Sequence, residues 1–255
     1  MLLAVDIGNT NVAFGVFEGE QLRTTWRMST NIQQMPDEYA SLLLNLLHHQ
    51  GLDASDIKEV ALCNVVPPLL DTFKELFERY FHLSPLVVGP GVKTGVRIRQ
   101  DNPREVGTDR VANAAAAHHL YSGSVIIVDV GTATTFDVVS EEGDHLGGAI
   151  APGITTAAEA LFVRTAALPR VELAHPQRAI GTNTIAAIQS GIVFGYVGLI
   201  EGIVARIQQE LEEKATVVAT GGYAELIARE TSVIDRVNPD LTLIGLRLIY
   251  LMNKV

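Results

Sequence analysis

Several kinds of residue are scarce in this chain, and each shortage narrows what the protein can be. Among 255 residues there is a single cysteine, Cys63. No disulfide can form within the chain, and nothing points to an oxidising compartment. Cys63 stands in Glu59-Val-Ala-Leu-Cys-Asn-Val-Val66, the pattern of a buried strand, and reads as a small core residue rather than a nucleophile. Positive charge is also short: 19 Lys and Arg face 29 Asp and Glu, a formal net charge of −10. That balance argues against nucleic acid or an anionic membrane surface as a general partner. The most apolar long stretch, residues 188–200, is interrupted by Glu201 and is too short to read as a membrane span. Of the seven histidines, His48/His49 and His118/His119 are adjacent pairs, whose rings leave a helix in different directions. His82, His145 and His175 stand alone, so all seven read as surface or hydrogen-bonded polar residues rather than metal ligands. Met1 leads directly into a strand-like run with no signal-peptide pattern, and the cytoplasm is the expected location.

What the chain does have is apolar bulk, 47% hydrophobic against 19% charged, at a length that accommodates two domains of roughly 120 residues. The stretch that organises the reading is Val5-Asp-Ile-Gly-Asn-Thr-Asn-Val12. Apolar runs on either side of Asp6, Gly8, Asn9, Thr10 and Asn11 predict a hairpin with a donor-rich turn. Gly8 allows close backbone approach to a ligand, and the following side chains add amide and hydroxyl donors. Asp6 supplies a carboxylate at the tip of a buried strand. Phosphates take donors and magnesium takes oxygen ligands, although a tight turn with Asx caps has the same composition. A second copy, Val125-Ile-Ile-Val-Asp-Val-Gly-Thr-Ala-Thr-Thr-Phe-Asp-Val-Val139, raises the functional reading. Asp129 matches Asp6 and Gly131 matches Gly8, each at a spacing of 129 − 6 = 123 residues, and each copy ends in an acidic-glycine turn.

Between the copies, 21–29 alternate as a third strand holding Trp26, Pro36 and Asp37 open a helix through Leu47, and 58–66 form another strand. A helix over 69–80 and a short strand at 86–88 follow. Residues 89–110 are rich in glycine and proline and read as a functional loop. It carries Lys93, Arg97, Arg99, Arg104 and Arg110 against Asp101, Glu105 and Asp109, a local balance of 5 − 3 = +2 that suits an anionic ligand. An alanine-rich helix over 111–120 is expected at the junction between halves, with the boundary at 121–124. After the second hairpin, 147–153 read as a loop introducing a helix over 155–168, and 169–181 as a surface excursion. A capped helix then runs from Thr184 to about Glu213, with Gly191, Gly195, Gly198 and Gly202 on one face that permits close helix packing. A strand at 216–220 leads into Gly221-Gly222 and a helix over 224–229. A last helix follows Asn238-Pro239, with Leu241, Ile244, Leu248 and Leu251 as its apolar face.

Periodicity alone gives an α/β class. The chain further resembles the type III pantothenate kinases of the actin-like, sugar-kinase and Hsp70 superfamily. The resemblance rests on Asp6-Ile-Gly-Asn-Thr-Asn11, Asn102-Pro-Arg-Glu-Val-Gly-Thr-Asp-Arg110, Asp129-Val-Gly-Thr-Ala-Thr-Thr135, Gly147-Gly-Ala-Ile-Ala-Pro-Gly153 and Gly221-Gly222, and it covers essentially the full length. It implies two actin-like, ribonuclease H-like ββαβαβ-type domains around a central cleft, 1–120 and 121–255. It also implies ATP-dependent phosphorylation of pantothenate to 4'-phosphopantothenate, the first step toward coenzyme A. By the same resemblance Asp109 is the general base, and Asp6 holds Mg²⁺ through water. Gly8, Asn9, Thr10, Asn11 and Val12 surround the phosphates, and Thr132 contacts ATP. Asp129 binds a monovalent cation, K⁺ or NH₄⁺, while Gly107, Thr108, Arg110 and Thr184 contact pantothenate; a homodimer is expected. The chain departs from the family at Gln100, where a tyrosine commonly stands, so an aromatic wall of the pantothenate pocket is missing or supplied elsewhere. Two other readings remain open: an actin-like kinase of a sugar or small acid, and a nucleotide-binding regulator without catalysis.

Overall fold

The near-continuous apolar runs at 2–7 and 59–64 are the signature of strands covered on both faces, and the computed structural model, which describes residues 1–211 and 213–254, places them side by side. Strands β1 (Leu2–Ile7), β2 (Asn11–Glu18) and β3 (Gln21–Ser29) form an antiparallel meander. Helix α1 (Pro36–His49) crosses to β4 (Glu59–Asn64), which lies parallel to β1, and α2 (Leu69–Leu76) leads to the short β5 (Leu86–Val87). The sheet order is β3-β2-β1-β4-β5. Leu3, Val5 and Ile7 face a core with Tyr39, Leu43, Phe73 and Phe77 from the α1–α2 side. Leu2 and Ala4 face the opposite way, toward a second core with Ala61 and Cys63.

The pattern recurs in β7 (Val125–Val130), β8 (Ala133–Val139), β9 (Asp144–Pro152), β10 (Thr216–Thr220) and β11 (Arg236–Val237). With β6 (Arg97–Ile98) added at the edge, the order is β11-β10-β7-β8-β9-β6. β7, β8 and β9 are antiparallel neighbours, and β10 runs parallel to β7, as β4 does to β1. Helices α3 (Thr108–Leu120), α4 (Ile154–Arg164), α5 (Thr184–Leu211), α6 (Ala224–Ala228) and α7 (Leu241–Asn253) complete the chain.

By packing, the chain divides into two units. One comprises Met1–Val96, Asp101–Ala116 and the stretch from Leu241 onward; the other comprises Arg97–Gln100 and Ala117–Asp240. This differs from a single cut after residue 120 because α7 belongs with the first unit. Leu243, Leu246 and Ile249 share a core with Leu2, Ala4, Ala112 and Ala115. A side chain at Gly245 would put its Cβ 1.9 Å from the Ala112 carbonyl oxygen, so glycine lets α7 lie directly on the alanine-rich helix α3. The alanines therefore serve α7 packing within the first unit. The buried face of α7 is also not the one expected: Leu241 and Leu248 are buried, Ile244 is half-buried and Leu251 is exposed.

Three further expectations need revision. Residues 147–152 belong to β9 rather than to a loop; a Cβ at Gly148 would lie 1.6 Å from the Phe136 oxygen, so the glycine is there for close strand pairing with β8. The loop 89–110 ends earlier than expected, because Thr108 to Arg110 form the first turn of α3. Helix α5 is long and apolar enough, on length and composition, to cross a membrane, as a core helix also can be, so the rejection of a span over 188–200 is not overturned. Its buried side, Ile188, Val193, Ile200 and Val204, forms part of the core of the second unit. The side carrying Gly191, Gly195 and Gly198 meets nothing within 4 Å of their Cβ positions, so no close helix pairing occurs there within the described chain. The expected end of α5 near Glu213 passes through Glu212, which lies outside the described residues.

Candidate active site

The first unit assembles its polar site at the ends of β1 and β4. Antiparallel pairing sets Asp6 opposite Ala13, and Ala13 opposite Arg27; parallel pairing sets Asp6 beside Cys63. Directly paired residues share a sheet face, so Cys63, Asp6, Ala13 and Arg27 form one row. The Cys63 thiol donates to Asp6 Oδ1 at 3.2 Å. Burial and the nearby charge of Asp109 push the Asp6 carboxyl up to about 7, against smaller opposing effects from the Cys63 hydrogen bond and Arg27. The Cys63 thiol, buried and beside both carboxylates, is itself pushed well above the ordinary thiol range. Neither Cys63 nor Arg27 stood out in the sequence. The signal for both lay in register: once Asp6 is fixed, its neighbours on β4 and across β2 follow.

The hairpin turn beyond Asp6 is held from beneath. Gly8 N–H donates to Asn11 O at 3.1 Å, and the Thr30 hydroxyl donates to Gly8 O at 2.6 Å. Thr30 N–H donates to Thr10 O at 2.9 Å, so the residue after β3 clamps both sides of the turn. Asn9, Thr10 and Asn11 are exposed on its outer side, as a phosphate grip requires. Val12 is fully buried in the core, where it packs the base of the hairpin between Ile7 and Met28.

Asp109 enters the same unit from α3. Its Oδ1 accepts the Arg110 N–H at 2.8 Å. A side chain at Gly107 would place its Cβ 2.4 Å from that oxygen, so glycine makes room for the folded-back carboxylate. The Thr108 hydroxyl donates to Asn64 O at 3.2 Å and accepts from Asn64 N–H at 3.0 Å. Thr108 therefore ties the start of α3 to the end of β4. Arg110 is half-buried.

In the second unit Asp129 closes β7, with Thr220 beside it on β10. Gly221, at φ +92°, brings the backbone so close that a Cβ would lie 2.5 Å from Asp129 Oδ1 and 2.7 Å from Val130 O. Thr132 is exposed at the hairpin tip, and its carbonyl accepts the Thr156 hydroxyl at 2.9 Å. Thr184 opens α5, where Asn183 Oδ1 caps the helix by accepting Ala186 N–H at 2.9 Å. It lines an open cavity of about 630 Å³ together with Leu161, Leu168, Gly181 and Gly191.

The cations of 89–110 are partly spent elsewhere. Arg97 and Arg99 both bind Asp144, at 2.6 and 3.0 Å, and so tie β6 to β9. Gln100 turns its amide toward His145, Nε2 to Nδ1 3.4 Å, and His145 is buried with its Nε2 2.7 Å from Asp137 Oδ1. His145 is thus a satisfied core histidine. Among the described residues no group of three or more His, Cys, Asp or Glu side chains is arranged to hold a metal by itself.

Comparison with known proteins bears on the family and the fold. The family profile for type III pantothenate kinase matches residues 2–206. A type III pantothenate kinase of Dehalococcoides mccartyi strain CBDB1 is 60% identical over 254 residues, covering 100% of this chain and 97% of that protein. One of Moorella thermoacetica is 54% identical over 253 residues, with 99% and 100% covered. Among solved structures, one described as a Baf family transcriptional activator from Campylobacter jejuni superposes with a TM-score of 0.62 at 20% identity, over 98% of each chain. At that identity the likeness speaks for the fold alone, which is the actin-like one in both units.

Proposed function

The chain belongs to the type III pantothenate kinase family, and from that premise we propose how its own residues transfer the γ-phosphoryl group of ATP to the primary hydroxyl of pantothenate. The observation that carries the reading is the meeting of Asp6 and Asp109 at the ends of β1 and α3, close enough for one charge to raise the other. Two acids held near each other at a turn rich in donors make a site for a cation and an anionic phosphate chain.

Such a transfer demands little covalent chemistry of the protein. It requires alignment and neutralisation of charge on the moving group. The exposed donors Asn9, Thr10 and Asn11, with the backbone of Gly8 before them, grip the phosphates, and buried Val12 anchors the turn beneath. Magnesium fits at Asp6: a carboxylate lifted to about 7 by burial and a neighbouring negative charge is relieved by a divalent cation. When bound, through water, that ion neutralises phosphate oxygens. Asp109 orients the pantothenate hydroxyl and accepts its proton as the bond to phosphorus forms. Gly107 keeps that carboxylate folded back, Thr108 fixes its helix, and Arg110 faces the carboxylate of pantothenate, which a guanidinium grips through paired hydrogen bonds.

Thr132, exposed at its hairpin tip, is assigned a contact with ATP. Asp129 takes the monovalent cation, K⁺ or NH₄⁺; what supports this is an acid at the β7 tip with the Gly221 backbone drawn close against it. Thr184 contacts pantothenate, and the chain works as a homodimer in the cytoplasm. What supports the dimer is the glycine side of α5, where Gly191, Gly195 and Gly198 leave backbone open to a second helix.

An enzyme-linked assay of ADP release across a panel of hydroxyl substrates, with Mg²⁺ and with K⁺ or Na⁺, tests the reading. Pantothenate-dependent release that weakens in Na⁺ is the expected result. Turnover of N-acetylglucosamine without turnover of pantothenate would move the chain to a sugar kinase. Absence of ADP release with every acceptor would make it a nucleotide-binding regulator.

A further inference from the structure

The chain's one thiol has no part in the chemistry described above, yet it touches an acid on which that chemistry depends. We infer that Cys63 is a positioning residue whose S–H holds the Asp6 carboxylate in place at the end of β1. The inference rests on the assignment of Asp6 to the phosphate and magnesium site.

The contact is set by the fold. Asp6 and Cys63 are register partners on the parallel strands β1 and β4, so their side chains leave the sheet on one face. Sγ lies 3.2 Å from Oδ1, close for sulfur as a donor. A thiol donates weakly, but the charge of a carboxylate acceptor strengthens the bond. Cys63 is fully buried, so solvent does not compete for its proton. With Oδ1 engaged, rotation of the Asp6 side chain is restrained, and its remaining lone pairs are those that a ligand meets.

The next residue adds to the case. Asn64 binds the Thr108 hydroxyl through both its backbone N–H and its C=O, which fixes the turn of α3 that carries Asp109. The last two residues of β4 therefore set both acids, one through a side chain and one through the backbone. A residue chosen only to fill the core would need no donor here; valine or alanine would serve.

Because Cys63 is the only cysteine, the S–H stretching band of the protein in the infrared reports this one bond. The expected result is a band at the lower frequency of a bonded thiol, which moves to higher frequency in Asp6→Ala. In kinetics, Cys63→Val fills a similar volume without a donor. It should lower kcat/KM for ATP about tenfold, the scale of one lost hydrogen bond to a charged group, with KM for pantothenate unchanged. Cys63→Ser, which keeps a donor, should recover most of that loss. A band that ignores Asp6→Ala overturns the inference, as does wild-type turnover by Cys63→Val. Serine no better than valine would reduce Cys63 to packing. Full ATP turnover by Asp6→Ala, with the band still shifted, would overturn the role given to Asp6 itself while leaving the thiol contact intact.

Discussion

The hairpins β1–β2 and β7–β8 repeat one frame and end differently. Both set an aspartate at the strand tip and a glycine two residues on, and both lie beside a parallel strand that follows a helical crossover. The first closes Ile7 on Val12 across a four-residue turn, and the second closes Val130 on Thr134 across three. That one extra residue exposes Asn9, Thr10 and Asn11 in the first unit. In the second, Thr132 is exposed while Thr134 is buried and Thr135 donates to Asp137 at 3.3 Å. Asp6 meets a thiol donor and a second carboxylate's charge, and on Asp129 the backbone of Gly221 closes tightly. On the roles proposed above, a shared frame would serve two kinds of ligand: phosphate at the donor-rich turn of one unit, and a single cation at the acid of the other.

If the first unit holds the reacting groups, the largest effect belongs to Asp109. Asp109→Asn should lower kcat by roughly 10²- to 10⁴-fold, the range for loss of a general base, while calorimetry shows nucleotide binding unchanged. A near-normal rate would remove the base from this unit and, with it, the functional contrast between the hairpins. The next effect follows from the Asp6 carboxyl at about 7 against an unfolded value near 3.8. Between those values the native protein holds a proton that the unfolded chain has released. Stability in magnesium-free buffer should therefore fall as pH rises from about 4 to about 7, by at most ~4 kcal/mol, and then level off. Asp6→Asn should flatten that slope and raise the melting temperature above pH 7, at the cost of activity. Thermal scans against pH measure it; a slope that survives the substitution assigns it to another group.

Much of this frame was legible because it is carried by local pattern. The paired acid-glycine tips, the strands around them and the helix cap at Asn183 depend on residues near one another in sequence. What escaped was set by partners far along the chain. The alanines of α3 read as a junction between halves, yet Ala112 meets Gly245 of α7, more than a hundred residues away. Gly148 read as a loop breaker because nothing local reveals that the Phe136 backbone needs the space. Arg97 and Arg99 counted toward the +2 balance of the 89–110 loop because Asp144, which takes both, lies some forty-five residues on. Cys63 read as core, which its burial bears out, but its donor role appears only with the β1–β4 register.

The same contrast can be sharpened at the glycines. Gly221→Ala forces a Cβ into the Asp129 carboxylate at a positive φ, and should destabilise the protein by about 1–3 kcal/mol. Gly222→Ala, with open space at its Cβ, should change stability by less than about 0.5 kcal/mol. Urea denaturation of the pair decides, and equal effects would show that the second hairpin does not depend on close backbone approach.

The smallest effect concerns Arg27, which reaches the first site only through its charge. It stands two strands from Asp6 in the same cross-strand row, is exposed, and opposes the rise of the Asp6 carboxyl. Arg27→Ala should move the upper end of the pH–stability slope higher by about half a pH unit, since loss of a nearby positive charge favours the protonated acid. Added salt should shrink that shift, because an exposed charge is screened beyond a Debye length of roughly 10 Å at 0.1 M. A shift that persists in high salt would mean that Arg27 acts by contact rather than through its field, and the row would then hold Asp6 from both sides.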